Sequence, residues 1–147
     1  MKRHLLILAQ IIILTGAFTA SAQAQTGSAQ KVIADIPFAF NVGNTNLPAG
    51  KYTITVLNPT SDRKVLRVRS ASGKSTAITQ TTTVVGDASD DAKLVFNRYG
   101  DRYFFAQAQL AGETTSFAAL KSSAERAETR AITIAGTKSV VVIVAGH

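Results

Sequence analysis

KLVFNRYGDRYFFAQAQL, residues 93–110, is the stretch of the sequence that indicates the fold most clearly. Two strand-like runs, KLVFNRY and RYFFAQAQL, flank the dipeptide Gly100-Asp101. A two-residue connection that contains glycine suits the tight primed turn of a β-hairpin, because glycine adopts a positive φ without steric cost. With these two residues as the loop, the pairing places Phe96 opposite Phe105. The stretch therefore predicts an antiparallel hairpin with one aromatic face.

Alternation of apolar and polar residues predicts further strands outside this hairpin. Every even position from Val32 to Val42 is apolar, as one buried face of a strand requires. Pro37 has no N–H, so this segment is an edge strand or is broken at the proline. Further strand-like segments follow at residues 51–58, 64–70, 75–85 and 114–120. Turns rich in glycine, asparagine, proline or serine separate them.

The C-terminal part of the chain changes character twice. SSAERAETR, residues 122–130, predicts a short and largely solvated helix, in which Ser122 and Glu125 have the spacing of a capping box. Residues 131–135 and 139–145 then return to a strand-like pattern. The run VVVIV in the second of these is continuous rather than alternating, which predicts burial on both faces.

These segments together predict an all-β, mainly antiparallel domain with one short helix near the C-terminus. About eight or nine strands with regularly spaced turns are typical of a sandwich or a small barrel. The alternation is the same in both architectures, so both remain open from the sequence.

The N-terminal segment has the three-part order of a secretory signal peptide. A cationic start precedes an apolar run at Leu5–Ala17, and small residues follow at Ala20–Ala24. The apolar run is about 13 residues long, short of the roughly 20 that a spanning helix needs. We therefore predict a signal peptide over residues 1–24, a flexible segment over 25–31 and a single β domain over 32–147. The expected location is periplasmic or extracellular, with no transmembrane helix after signal cleavage.

Composition excludes several chemistries. The 147 residues include no cysteine and no tryptophan, and the two histidines are His4 and His147. A disulfide scaffold, a thiol nucleophile, a zinc finger and a histidine-based catalytic triad are therefore excluded from the body of the domain. No G-x-S-x-G nucleophile motif is present. The sequence predicts no catalytic residue, no metal site and no cofactor, and hence a protein that is not an enzyme.

A basic run gives the first candidate binding site. The chain has 16 lysines and arginines against 9 acidic residues, and five of these cations fall within a dozen residues: Arg63, Lys64, Arg67, Arg69 and Lys74. Arg67 and Arg69 are two residues apart, so they project from the same side of a strand. Such a face could bind phosphates or carboxylates of lipopolysaccharide, phospholipid headgroups or an acidic polymer. It could equally be a solvated outer face that keeps the sheet soluble.

The hairpin gives the second candidate, a hairpin lip made of Arg98, Tyr99, Asp101, Arg102 and Tyr103. Polar aromatic side chains beside a charge pair could contact a ligand. The same residues also fit ordinary turn chemistry and cross-strand pairing, including Arg98 opposite Tyr103. Nucleic acid is not expected at either candidate, because aromatics are not interleaved with the basic run and no nucleic-acid-binding signature is present.

Five segments, in this order, resemble a family of small exported β-rich proteins of Acidobacteria: IPFAFNVG (36–43), LPAGKYTI (47–54), VLRVRSASGKSTAI (65–78), KLVFNRYGDRYFFAQ (93–107) and SSAERA (122–127). They cover more than half of the predicted mature chain, and the hairpin is the most specific of them. The resemblance implies a secreted all-β module with a short late helix. It implies no activity, cofactor or catalytic residue.

The sequence thus predicts an exported, non-catalytic β domain that acts as a binding or envelope-associated module. The sequence does not identify its ligand or partner; the candidates are an anionic envelope component and another β protein. One alternative is a structural or assembly protein whose C-terminal strand pairs with the edge of another β protein. A further alternative is a small outer-membrane barrel, although several predicted strands are shorter than the ten or so residues that such barrels use.

Overall fold

A computed structural model describes residues 30–131 and 138–144. The predicted signal peptide (1–24), most of the predicted flexible segment (25–29) and the strand-like residues 132–135 lie outside the described residues. Lys31, which the sequence places in the flexible segment, is instead the first residue of a strand. No helix in the described ranges is long and apolar enough to span a membrane.

Within the described residues, ten strands and one helix follow one another in the order β1 (Lys31–Ile36), β2 (Phe40–Val42), β3 (Thr45–Leu47), β4 (Gly50–Val56), β5 (Lys64–Ser70), β6 (Thr76–Val85), β7 (Ala92–Tyr99), β8 (Arg102–Gln109), β9 (Thr115–Ala119), α1 (Ser123–Ala131) and β10 (Lys138–Val144). All strand pairs are antiparallel except the short parallel pair of β2 with β8. The prediction of a mainly antiparallel all-β domain with one short helix near the C-terminus is confirmed.

The strands form one curled sheet. The main path runs β1-β4-β5-β6-β9-β8-β7-β10, and the β2-β3 hairpin attaches to the free edge of β8 beyond β9. Strands β1 and β10, at the two ends of this path, lie beside each other, but no ladder joins them in the described part of the chain. The sheet is therefore not closed into a barrel. The structure thus shows a single sheet that curls around one core.

The predicted hairpin forms as β7 and β8. Phe96 pairs with Phe105, and Arg98 pairs with Tyr103, as the two-residue loop requires. Gly100 has a φ of 59°, whereas Asp101 has no positive φ, which is the pattern of a type II′ turn with glycine at its first central position. A β-bulge between Val95 and Phe96 then shifts the register by one residue.

The segment after Pro37 differs from its prediction. β1 ends at Ile36, so the proline breaks the strand as expected. Residues 43–50, predicted as a single turn, contain β3, which pairs with β2 across a tight turn at Gly43. β2 belongs to the alternating segment that begins at Val32, whereas β3 has only three residues, too few for alternation to reveal it. The break at Pro37 and the added strand β3 raise the number of strands in the described residues to ten.

The core fills the concave side of the sheet. Its centre is an aromatic group in which Phe40 makes edge contacts with Tyr52 and Phe96, at ring-centroid distances of 5.1 and 5.3 Å. All three side chains are buried. At one end Phe38 stacks on Tyr103 at 4.0 Å, and both are partly buried against the core. Each fully buried side chain of this size stabilises the fold by about 1.5–3 kcal/mol.

Helix α1 covers the opposite, convex side of the β7-β8 hairpin. Tyr99 and Phe104 point to this side and pack together with their ring centroids 5.7 Å apart. The Ser122 hydroxyl accepts a hydrogen bond of 3.1 Å from the Glu125 backbone N–H, so the predicted N-cap is present. The Glu125 carboxylate does not complete the capping box, because it accepts hydrogen bonds from the sheet instead. It is buried, whereas most other residues of α1 are exposed, so the helix is largely solvated as predicted except at Glu125.

The C-terminal run of valines forms β10, at the end of the sheet. Val140 lies opposite Phe96, and Val142 lies opposite Leu94. Both valines are half-buried, and Val142 packs against the core. The other side chains of the run lie outside what the structure describes, so its burial on both faces stays a prediction.

Candidate functional site

The convex side of β1, β4 and β5 brings together basic and hydroxyl side chains. Inward positions on these strands are apolar and buried, so the residues between them must point outward. Strand pairing then sets Lys31 opposite Thr55, and Thr55 opposite Arg67, in one row across the sheet. In the next row Thr53 lies opposite Arg69. We call this surface the cationic face and define it by Lys31, Thr53, Thr55, Arg67 and Arg69.

The cationic face is locally indented, although the sheet is convex on this side. Its five residues, together with Ser70 and Ala71, line an open depression of about 410 Å³. Standard strand geometry places Arg67 and Arg69 roughly 7 Å apart along β5, and Lys31 roughly 10 Å from Arg67 across two strand spacings. The depression is therefore wide enough for a small anionic group to lie between the three cations.

Among residues 30–131 and 138–144, none of the three cations has an acidic partner. The ion pairs of Arg98 with Asp101 and of Arg102 with Glu128 both lie elsewhere. Asp35, an outward-facing carboxylate of β1, lies opposite Lys51 at the other end of that strand. An indented surface with uncompensated positive charge attracts anions.

The side chain of Arg69 lies against a glycine turn. The chain turns after β5 at Gly73, which has a φ of 72°. A Cβ atom at this position would lie 3.1 Å from Nη2 of Arg69, so the guanidinium lies directly against the turn. The positive φ favours glycine at this position.

Only part of the predicted basic run belongs to the cationic face. Arg67 and Arg69 do, as their spacing predicts. Arg63 lies in the loop before β5, and the Lys64 ammonium donates a hydrogen bond to the Pro59 carbonyl oxygen, away from the depression. Lys74 lies in the turn after β5 and is exposed.

Lys31 belongs to the cationic face, but the basic run does not include it. Lys31 precedes the run by more than thirty residues, and it reaches Arg67 only because β1 and β5 both pair with β4. The sequence does indicate the side of the sheet on which Lys31 lies. Lys31, Ile33 and Asp35 alternate with the buried residues of β1, so they face outward. The register with Thr55 cannot be derived from that alternation.

A second, smaller depression continues from the cationic face. It has a volume of about 290 Å³ and shares Ser70 and Ala71 with the first. Its floor includes Tyr52, whose hydroxyl donates a hydrogen bond of 2.7 Å to the Pro48 carbonyl oxygen. Burial of this side chain raises the pKa of the Tyr52 phenol above its ordinary value. The phenol is therefore an internal structural donor rather than a free group.

The predicted hairpin lip is satisfied by its own contacts. Nε of Arg98 donates a hydrogen bond of 2.7 Å to the Gly100 carbonyl oxygen. The same guanidinium lies 3.7 Å from the Asp101 carboxylate and 5.5 Å from the centroid of the Tyr103 ring. These contacts are cross-strand pairing and turn chemistry, the second of the two interpretations that the sequence allowed.

The other two lip residues face the helix. Tyr99 is buried, and its hydroxyl donates a hydrogen bond of 3.1 Å to Glu125. Arg102 forms an ion pair with Glu128, and its guanidinium lies 5.4 Å from the centroid of the Phe104 ring. The five lip residues thus divide between the two sides of the sheet, and the structure does not bring them together as one ligand-binding group.

The described residues offer no metal-binding cluster, because no three histidine, cysteine, aspartate or glutamate side chains come together among them. Comparison with known proteins gives no relative to guide the assignment. No protein-family model, no curated protein and no solved structure matches the chain.

Proposed function

We propose that the chain is an exported, non-catalytic β domain that binds an anionic group of an envelope component on its cationic face. The observation that supports this proposal is the convergence of Lys31, Arg67 and Arg69 on one open depression, with no acidic partner in the part of the chain that the structure describes. Lys31 on β1 and the two arginines on β5 lie on strands that flank β4, and their like charges repel one another. An anionic ligand bound between the three cations would offset this repulsion.

The chemistry of the face suits phosphate or carboxylate. Arginine presents a planar fork of donors that matches both groups and can bind them bidentately. The lysine ammonium adds a compact charge at the opposite wall of the depression. The hydroxyls of Thr53 and Thr55 lie between these cations and can donate to the remaining oxygens of the anion.

The competing interpretation is a solvated outer face that only keeps the sheet soluble. Soluble polyanions distinguish the two: polyphosphate carries phosphate, and polygalacturonate carries carboxylate. We expect saturable binding of at least one of them by titration calorimetry, weakening steeply as salt rises toward about 0.5 M because exposed charges are screened. Absence of binding to both polymers at low salt would reject the proposal.

The basic run supplies a matched control. The double substitution R67Q/R69Q removes two charges from the face, and R63Q/K74Q removes two charges from the same run outside it. We expect the first to weaken polyanion binding about tenfold or more, equivalent to 1.4 kcal/mol. The second should leave binding within about twofold, since only long-range charge is lost. Equal losses in both would indicate a non-specific effect of net charge and would contradict a defined site.

Export is the other part of the proposal, and the signal-peptide pattern of residues 1–24 supports it. Intact mass of the protein recovered from its native host tests it. We expect the mass of a chain that begins at Gln23 or Gln25. Recovery of the full chain from the cytosol would overturn the assigned location.

Pairing through the C-terminal strand remains a second candidate. It is favoured by the position of β10 at one end of the sheet, where β7 is its one ladder partner among the described residues. A partner strand would first have to displace β1, which lies beside β10. Size-exclusion chromatography over a wide concentration range tests this candidate, and a monomer at every concentration would count against self-pairing.

A further inference from the structure

Three large apolar side chains are exposed on the same convex surface as the cationic face: Leu57, Ile78 and Leu120, which are 42%, 58% and 54% accessible. Ile78 lies directly opposite Arg67 on the neighbouring strand. Single exposed apolar residues are ordinary on protein surfaces. Three of them beside a group of unpaired cations need a further explanation.

Strand pairing brings the three apolar residues together. The Leu57 N–H donates a hydrogen bond of 2.9 Å to the Val65 carbonyl oxygen, and Val65 pairs with Gln80. The Leu120 N–H donates a hydrogen bond of 3.2 Å to the Gln80 carbonyl oxygen from the other side. Leu57, Val65 and Leu120 thus form a row around Gln80, next to the row that holds Ile78, Arg67 and Lys31. We call Leu57, Val65, Ile78 and Leu120 the apolar border.

An amphipathic surface of this kind matches the boundary of an anionic lipid layer. Basic side chains contact the headgroup phosphates, while apolar side chains beside them enter the boundary with the acyl chains. A soluble polyanion would use the cations alone and would leave the apolar border in water. Charge complementarity and the adjacent apolar residues therefore both favour a lipid surface.

We propose that the convex side of β1, β4, β5 and β6 docks on the surface of an anionic lipid layer, with the cationic face on the headgroups and the apolar border in the acyl boundary. This inference rests on the proposed function, because it takes the same cations as the anion-binding group. It adds the class of ligand and assigns a role to Ile78 and Leu120.

Vesicle sedimentation with the mature chain tests the inference. Pure phosphatidylcholine vesicles are compared with vesicles that contain about one third phosphatidylglycerol, which gives a negative surface. We expect binding to the anionic vesicles only. Each basic residue at such a surface contributes about fivefold in partitioning, so R67Q/R69Q should lower binding roughly 25-fold.

The apolar border is tested by I78T/L120T, because threonine keeps the strand preference of the position while removing most of its apolar surface. The matched control is V84T/V85T, since Val84 and Val85 are also exposed but lie roughly 20 Å farther along β6. We expect I78T/L120T to lower vesicle binding about tenfold while its affinity for polyphosphate is unchanged. The control should bind vesicles like the unmodified chain.

The outcomes separate the two proposals. If I78T/L120T binds anionic vesicles as well as the unmodified chain, the lipid inference is wrong and the anion site stands. If the unmodified chain binds polyphosphate or polygalacturonate but no vesicle, the inference fails in the same way. If it binds neither the polymers nor the vesicles, both proposals fail. Circular dichroism of each variant checks that the sheet is retained.

Discussion

Asn97 on β7 and Glu125 on α1 are joined by a hydrogen bond of 2.8 Å from the side-chain amide to the carboxylate. The same carboxylate oxygen accepts a second hydrogen bond from the Tyr99 hydroxyl, and Glu125 is buried. Glu125 is the one buried residue of this short helix, and most of its other residues are exposed. In isolation so short a helix would not be stable. Its docking on the sheet therefore depends on this small polar group and on the packing around it.

We predict that Glu125→Ala lowers the free energy of unfolding by about 1–3 kcal/mol, because Asn97 and Tyr99 lose their acceptor in a buried place. Urea denaturation followed by circular dichroism measures the change. The control is Glu128→Ala, which removes a more exposed ion pair with Arg102 and should cost at most about 1 kcal/mol. Equal effects from the two substitutions would contradict the anchoring role of Glu125.

Residues placed for binding need not stabilise the fold. We predict that Arg67→Gln and Arg69→Gln leave the free energy of unfolding unchanged or raise it by a few tenths of a kcal/mol, since each removes mutual repulsion and breaks no ion pair. The measurement is urea denaturation without added ligand. A loss of more than about 1 kcal/mol would show a structural role for these arginines and would weaken the binding interpretation.

Tyr52 predicts an alkaline limit to stability. Its pKa is raised by burial, so the folded state keeps the phenol proton at a pH where the unfolded chain, with a pKa of about 10, has lost it. Stability from this group is complete below pH 10 and falls as the pH rises toward the folded-state pKa.

The comparison with Tyr52→Phe tests this dependence. Phenylalanine has no proton to lose, so the variant should lose less stability than the unmodified chain as the pH rises above about 10. Below pH 9 the variant should be the less stable of the two, by about 1 kcal/mol, because the hydrogen bond to Pro48 is absent. Parallel curves for the two proteins at high pH would contradict the assignment.

Two glycines give a test of the hairpin turn. Gly100 has a φ of 59°, whereas Gly86 has no positive φ and open space around it. We expect Gly100→Ala to lower stability by about 1–2 kcal/mol because alanine is strained in the left-handed region. Gly86→Ala should be neutral or stabilising by up to about 1 kcal/mol. Thermal denaturation of both variants is sufficient, and a neutral Gly100→Ala would argue against the type II′ turn.

Local patterns predict much of this fold. The alternation in β4 and β5, the break at Pro37 and the two-residue loop at Gly100 each depend on neighbours in sequence, and each matches the structure. The bulge at Val95 does not follow from such patterns. It depends on how β7 fits between β8 and β10 in the curled sheet.

The candidate site shows the same division. The two-residue spacing of Arg67 and Arg69 gives their common side without any knowledge of the fold. Lys31 and Ile78 join them only through strand register across β4 and β6, which alternation does not fix. Glu125 looks like a solvated helix residue because its two donors, Asn97 and Tyr99, are more than twenty residues away in sequence.

The gap in hydrogen bonding between β1 and β10 has a mechanical consequence. Most neighbouring strands of the described sheet are joined by a ladder that resists their separation, but at this seam two strands can slide or separate without breaking one. The width of the curled sheet can therefore change at the seam between β1 and β10, next to Lys31. A surface that rests on a lipid layer beside that seam could adapt its shape to the layer while the aromatic interior keeps its packing.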